Sequence, residues 1–270
     1  MIIISPGLVL QPSTAFPPWS PMIGWENVVT PTTITATSDD PAYPVTNLAT
    51  PSTVEVWRAG SGATQYLTVT PPGLQAIDYI GVARHNFGSA RIPVSVERFD
   101  GESWVEIVSP LLAGNDEPLI IRFEPGEGMP TRLRLDEGDA PATAAVVHAG
   151  PSLILPPHIQ VGYTPINYGR RVDSEEDVSE SGNFLGRPVF NEKRETTPRL
   201  SYIDGDWYRQ NMDRFVAAAA RRPFFFAWDP LHYPREVGYC WLRRGQVVEP
   251  VIHTALGHVQ IDLPMRGIAA

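Results

Sequence analysis

Proline and glycine recur along the whole chain, and their frequency limits what it can fold into. The 270 residues include 28 prolines and 22 glycines, which interrupt helices and favour turns. We therefore expect short strands joined by many turns rather than long helices. Hydrophobic residues make up 43% of the chain, enough for a packed core, and the length fits two domains of moderate size.

The first half of the chain has the pattern of β-structure. In SVERF (95–99) and WVEIV (104–108), apolar and polar residues alternate with period two, as in half-buried antiparallel strands. The Asp-Gly pair between them predicts a hairpin. Similar short runs, separated by turns, continue from 22 to 155 and predict a β-sandwich. Residues 1–21 form a Pro-rich arm whose apolar side chains we expect to lie on a neighbouring domain or subunit.

The character of the chain changes after the Pro-Pro pair at 156–157, which stiffens the backbone and cannot continue a sheet. Beyond it, candidate strands surround one strong helix, which predicts an α+β domain over 156–270. The predicted organisation is therefore an arm over 1–21, a β-sandwich over 22–155 and the α+β domain. The acidic run DSEEDVSE at 173–180 is expected to be a solvated loop that orders against basic residues of a neighbouring subunit.

The stretch DWYRQNMDRFVAAAARRPFFFAWDP (206–230) predicts a helix followed by a buried strand. Asp204 and Asp206 both suit the N-cap, and Pro223 ends the helix. Three successive phenylalanines place aromatic rings on both faces of a strand, so the helix covers one face and further protein must cover the other. Either an internal core or a subunit interface meets this need. The residues assigned to core or assembly are Trp207, Tyr208, Phe215, Phe224, Phe225, Phe226 and Trp228.

Several function classes are excluded by composition. The net charge is −9 without a dense Lys/Arg block, which argues against nucleic acid as a partner. A single cysteine rules out an intrachain disulfide and a Cys-rich zinc site, and the histidines lack metal-ligand spacing. No apolar stretch approaches the roughly 20 residues that span a bilayer. We expect no catalytic residues, no metal and no cofactor, and therefore no enzyme.

The first half of the chain resembles a known family. The pattern comprises a Tyr-Pro pair at 43–44, an Asn-Leu pair at 47–48 and then Trp57, followed by IDYIGVARHNFGS and VERFDGESWVEI. It is similar to galactose-binding-like (discoidin-like) β-sandwiches, especially those carried by bacteriophage tail proteins. The resemblance implies a jelly-roll sandwich. Because that fold serves many functions, it does not name a ligand.

The second half resembles a C-terminal domain of tail proteins from long-tailed bacteriophages and prophages. The shared strings are ESGNFLGRPV, then WYR at 207–209, RPFF at 222–225, and Trp228 with Pro230. The resemblance implies a tail-tube or distal-tail-like sandwich with one flanking helix. It also implies a structural role at the tail tip or baseplate of a virion made in the host cytoplasm. The partners would be other tail and baseplate proteins, in a homo- or hetero-oligomeric ring.

The alternative is a carbohydrate-binding, host-recognition module whose partner is a cell-surface glycan. Aromatic rings and planar polar groups suit the apolar face and hydroxyls of a sugar. The candidate residues in the loops of the first domain are Tyr43, Trp57, Arg58, Arg84, His85 and Asn86. A purely structural interpretation stays open, in which Trp57 belongs to the core and residues 84–86 pin a loop.

Overall fold

The computed structural model describes residues 1–5, 16–17, 19–156, 159–252 and 254–268, and most regular structure in them is β. The strands of the first half are β1 (Ile2–Ile4), β2 (Met22–Gly24), β3 (Ile34–Ala36), β4 (Trp57–Arg58), β5 (Gln65–Val69), β6 (Ala76–Ala83), β7 (Pro93–Phe99), β8 (Trp104–Leu112), β9 (Leu119–Glu127), β10 (Thr131–Leu135), β11 (Thr143–Ala144) and β12 (Val146–Gly150).

The strands of the second half are β13 (Leu153–Ile154), β14 (Arg170–Ser174), β15 (Asp177–Val178), β16 (Phe184–Gly186), β17 (Val189–Thr196), β18 (Arg199–Ile203), β19 (Phe224–Ala227), β20 (Val237–Leu242), β21 (Val251–Ile252), β22 (Val259–Asp262) and β23 (Met265–Ile268). The helical segments are a 3-10 turn (Val45–Ala49), α1 (Gly205–Trp207), a π turn (Tyr208–Met212) and α2 (Asp213–Ala219). The predicted class, mostly β with a sandwich ahead of an α+β part, is confirmed.

The first sandwich consists of two sheets around one core. One sheet has the order β1-β9-β6-β12 and the other β3-β5-β10-β7-β8. Trp57, Phe87 and Phe123 are buried between the sheets among aliphatic side chains. The predicted hairpin joins β7 to β8, with Gly101 at a φ of 107° that favours glycine.

The second sheet has seven strands in the order β13-β2-β19-β20-β23-β17-β14. It takes β2 from before the first sandwich and β13 from after it: β2 pairs with β19, and Ile23 also pairs with Leu153. The chain therefore places β1 in the first sandwich and β2 in the second sheet, then builds the rest of the sandwich and returns to the second sheet with β13. The division at 21/22 and 155/156 stays a prediction, but the pairing shows that strands from both sides of the sandwich belong to this sheet.

One face of β19 is covered by the helical segment, as the periodicity predicts. Phe224 and Phe226 share a buried cluster with Met212 and Phe215, and the Phe215 and Phe224 ring centroids are 5.0 Å apart. The small sheet β18-β22-β21 contributes to the same cluster. Of the two candidate caps, Asp204 is the one observed, because its carboxylate accepts the backbone N–H groups of Asp206 and Trp207.

The other face of β19 packs on the first sandwich of the same chain. Phe225 is fully buried with Met22, Tyr79, Val146 and Tyr239. Strand β1 from the arm lies parallel to β9 at this side of the first sandwich, and its Ile2 belongs to the same cluster. Both faces of the aromatic strand are therefore covered within the chain, and no subunit is needed to bury them.

The arm falls partly outside the described residues, which omit 6–15 and 18. Its described parts lie on both units: β1 pairs with β9, and the Phe16 ring contacts the Trp207 ring edge-on at 5.6 Å.

A hairpin formed by β14 and β17 closes the seven-stranded sheet on one side. Every residue of β14 is exposed, and β15 and β16 form a small ladder beyond it. The acidic run at 173–180 is thus exposed, as expected, but part of it is strand rather than loop. The hairpin exposes large apolar side chains: Val172, Val178, Phe184, Leu185, Val189 and Phe190.

Candidate functional site

A recess of about 490 Å³ lies at one end of the first sandwich, where several loops meet. The 84–86 segment after β6 forms one wall, and residues just before β9 form another. The side chains around it are largely polar, and they come from Thr53, Val56, Arg84, His85, Asn86, Asp116, Glu117 and Thr143. Loop ends held by a rigid sandwich are a common place for a binding site.

Arg84 is the exposed cation of this recess. Its backbone has a φ of 54°, a conformation that is rare for residues other than glycine. The Arg84 carbonyl accepts the backbone N–H of Ala145 at 3.1 Å, which ties the strained residue to the strand behind it. Arg91 and Tyr202 also have positive φ, so this strain is not unique to the recess.

His85 is buried beneath the recess, where it holds the loops in place and exposes almost none of its ring to a ligand. Its Nδ1 accepts the Phe87 backbone N–H at 3.2 Å, so Nε2 carries the proton and donates to the Glu117 carbonyl at 2.8 Å. Burial lowers the pKa of His85 to about 4, although the Glu117 carbonyl acts in the opposite direction. The ring is therefore neutral at pH 7 and stacks on Phe87.

Asn86 uses both ends of its amide to hold the neighbouring strand. The Nδ2 group donates to the Pro141 carbonyl at 2.9 Å, and Oδ1 accepts the Thr143 N–H at 2.8 Å. In the same way, Oδ1 of Asp116 accepts the backbone N–H groups of Gly88 and Ser89, each at 2.9 Å. These bonds pin the loops, as the structural interpretation of 84–86 proposes for that segment.

The other three predicted glycan-binding residues lie beside the recess or beneath it. Trp57 is 0% exposed and donates from Nε1 to Asp39, so it offers no face to a ligand. Arg58 is exposed and pairs with Thr143 across β4 and β11. Its N–H donates to the carbonyl of Tyr43, which is 39% exposed. The glycan-binding role of these residues stays a prediction.

Sequence reasoning missed the other side chains around the recess, namely Thr53, Val56, Asp116, Glu117 and Thr143. They come from chain segments far apart in sequence, and no local pattern links them. The residues assigned to core or assembly lie in or against the buried clusters of the chain: Phe215, Phe224, Phe225, Phe226 and Tyr208 are buried, while Trp207 and Trp228 are partly buried.

The rest of the described chain adds little chemistry. Cys240 is buried in β20, and this burial raises the pKa of its thiol. Among the described residues, no group of three or more His, Cys, Asp or Glu side chains is placed to hold a metal ion. No described helix is long and apolar enough to cross a membrane.

Comparison with known proteins finds similarity only at the level of structure. The chain matches no protein-family model, and no curated protein is significantly similar in sequence. Chitosan-binding module 1, derived from a chitosanase/glucanase of Paenibacillus sp. IK-5, is 14% identical. It covers 47% of this chain and 99% of its own, with a TM-score of 0.41.

Two modules from Clostridium perfringens give similar values. The family 32 carbohydrate-binding module of NanJ, in complex with galactose, is 13% identical and covers 47% of this chain and 98% of its own, with a TM-score of 0.39. A second module, in complex with GalNAc-β-1,3-galactose, is 15% identical and covers 44% of this chain and 94% of its own, with a TM-score of 0.39. Each similarity covers less than half of this chain.

Proposed function

We propose that the first sandwich is a non-catalytic carbohydrate-binding module, with its ligand in the recess around Arg84. The observation that supports this is the exposed side chain of Arg84 in a recess that two carboxylates and two threonines also line, held in place by hydrogen bonds of His85 and Asn86 to the backbone. A guanidinium donates and a carboxylate accepts, so together they complement vicinal sugar hydroxyls, which do both.

The supporting bonds explain why the recess is pre-formed. His85 and Asn86 are committed to the protein backbone, so they fix the loops before a ligand arrives. Pre-organisation of this kind lowers the entropic cost of binding. Their role in this proposal is positioning, and the ligand contacts fall to Arg84, Glu117, the threonines and Oδ2 of Asp116, whose Oδ1 already accepts two backbone N–H groups.

Binding of the full chain to immobilised glycans, followed by calorimetry, tests the proposal. The first ligands to try are galactose and GalNAc-β-1,3-galactose, which the two Clostridium perfringens modules hold, and oligosaccharides of chitosan, which the Paenibacillus module binds. Arg84→Gly should weaken binding at least ~10-fold, on the order of 1.4 kcal/mol, since it removes a charged hydrogen-bonding group. Glycine suits the positive φ, so the fold should persist.

Arg91→Gly is the matched control, because Arg91 is an exposed arginine of the same sandwich with a φ of 50°. It should bind as the wild type does. Equal losses in both variants, or no glycan bound by the wild type, would contradict the proposal.

A second candidate function is assembly, favoured by the exposed hairpin over 170–196. We propose that this hairpin docks on a second copy of the chain, in a ring at the tail tip or baseplate of a phage virion. The support is the position of β14 at the edge of the sheet, together with exposed rings such as Phe190, which is 68% exposed. Exposed edges and apolar patches are sites of protein association.

Light scattering and sedimentation of the full chain test assembly. Phe184→Ser combined with Phe190→Ser should leave monomers where the wild type forms oligomers. Leu74→Ser is the control, since Leu74 is also highly exposed but lies in the first sandwich. A wild type that stays monomeric at every concentration would overturn this candidate.

A further inference from the structure

A cleft separates the first sandwich from the end of α2. The 49–54 segment forms one wall, and the turn from α2 to β19 forms the other. Two adjoining cavities, of about 490 and 310 Å³, share Pro51, Arg221, Arg222 and Pro223. The cleft adjoins the recess at Arg84, because Thr53 lines both, but Arg84 itself does not line the cleft.

The two arginines give this cleft a positive charge. Both side chains are exposed, and among the described residues neither forms an ion pair or a side-chain hydrogen bond. Other arginines of this acidic chain do pair with carboxylates, as Arg199 does with Asp262. The positive charge in the cleft therefore remains free for a ligand.

The lining of the cleft includes two tryptophans and an uncharged histidine. Trp241, 37% exposed, lines the larger cavity, and the half-buried Trp25 lines the smaller one, where its ring packs edge-on against Phe215. His148 also lines the smaller cavity. Burial lowers its pKa to about 4, the Gly24 backbone opposes this, and Arg222 lowers it further. The His148 ring is therefore neutral at pH 7, and the cleft suits a ligand that is both acidic and apolar.

The chain carries a segment of that chemistry at the tip of its exposed hairpin. Glu175, Asp177 and Glu180 are exposed, and among the described residues none of them forms an ion pair. Phe184 and Leu185 are exposed beside them. The cleft and the hairpin tip are thus complementary in charge and in apolar character. Among the described residues of one chain, however, no ion pair joins the tip to the arginines of the cleft.

We propose that the Arg221–Arg222 cleft binds the acidic, apolar hairpin tip of a second copy of this chain. Because the two surfaces differ, the contact is head-to-tail, and repetition gives a closed ring or an open filament. The inference rests on the second candidate function and names the surface on which the hairpin docks.

Charge exchange between the two surfaces tests this contact in the full chain. Arg221→Glu with Arg222→Glu, and separately Glu175→Lys with Asp177→Lys, should each raise the dissociation constant of self-association at least ~10-fold, since close like charges repel across an interface. An equimolar mixture of the two variants should recover association, as should one chain that carries all four changes. Higher salt should weaken association of the wild type.

Arg209→Glu with Arg235→Glu is the control for cleft charge, because both arginines are exposed outside the cleft. It should associate as the wild type does. Unchanged association in the cleft variant, or no recovery in the mixture, would overturn the inference.

Failure of the cleft contact and failure of assembly give different results. If Phe184→Ser with Phe190→Ser abolishes association but the cleft variant does not, the hairpin docks elsewhere and only this inference fails. A monomeric wild type would overturn both. If an acidic saccharide binds the cleft and association is absent, the site belongs to a ligand of another class and the inference is wrong.

Discussion

Strands β19 and β14 belong to the same sheet, yet they have opposite environments. All four residues of β19 are buried, with the helix on one face and the first sandwich on the other. All five residues of β14 are exposed at the sheet edge. Apolar side chains occur in both regions, so composition does not separate them. The difference is that other parts of the same chain pack on both faces of β19, whereas β14 stays exposed. We therefore expect β19 to contribute to stability and β14 to be available for association.

The largest expected effect is at the covered strand. Phe215→Ala should lower the free energy of unfolding by about 3–5 kcal/mol, because it empties an aromatic site against Phe224. The full chain must be used, since β2 and β13 complete the second sheet. Chemical denaturation measures the change. Val216→Ala, at a partly buried position of the same helix, should cost clearly less. Equal losses would show that the helix is not docked on β19.

Acid should destabilise the chain through two buried histidines, His148 against β19 and His85 beneath the recess. Burial lowers the pKa of His85 and of His148 to about 4. Between pH ~6.5 and 4 the unfolded chain therefore binds protons that the folded chain does not, and stability falls as pH falls. Each ring accounts for a few kcal/mol, on the order of 3. Burial raises the pKa of Asp78 to about 6, which offsets part of the loss.

Denaturation at several pH values compares the wild type with His148→Gln. The variant should lose less stability between pH 6.5 and 4.5 than the wild type does. Parallel curves for the wild type and His148→Gln would contradict the assignment.

A moderate effect is expected where the first sandwich contacts the seven-stranded sheet. A methyl group on Gly81 would lie 2.6 Å from the Phe225 ring, so Gly81→Ala should cost about 1–3 kcal/mol by overpacking. Phe225→Leu should restore part of that loss in the double variant, because the sites are in contact. Gly62→Ala, with no atom within 4 Å of the added methyl, is the control. Additive losses in the double variant would argue against this contact.

The smallest effect is expected at the uncovered strand pair. Phe190→Ser should change the free energy of unfolding of the monomer by less than about 0.5 kcal/mol, as is usual for exposed positions. Thermal unfolding at low concentration measures this. A loss comparable to that of Phe215→Ala would mean that the hairpin belongs to the core, and the contrast between β19 and β14 would fail.

Local patterns predict the covered region well because its signals are close together in sequence. The stripe through Met212 and Phe215 follows the helical period, and three adjacent phenylalanines leave no doubt that both strand faces need cover. The sequence did not indicate which part of the protein packs on the second face of β19. Phe225 meets Met22, which is about 200 residues away along the chain, and periodicity contains no information about such pairs.

The recess was predictable only in part, for the same reason. Arg84, His85 and Asn86 are adjacent in sequence and mix charge with planar polar groups, so they attract notice together. Asp116 and Thr143 reach the recess only through the topology of the sandwich. The burial of Trp57 between the two sheets agrees with the structural interpretation of that residue rather than with a surface role in binding.

The pairing of Ile23 with Leu153 has an evolutionary consequence. The chain leaves the seven-stranded sheet and re-enters it at adjacent strands, whose backbones are about 4.8 Å apart. Ends this close let an intervening unit be replaced without disturbing the host. Apart from β1, which precedes β2 and pairs with β9, the sandwich is therefore a single insertion between β2 and β13. A descendant could acquire another recess by recombination, provided the incoming unit keeps a small residue opposite Phe225, as Gly81 does here.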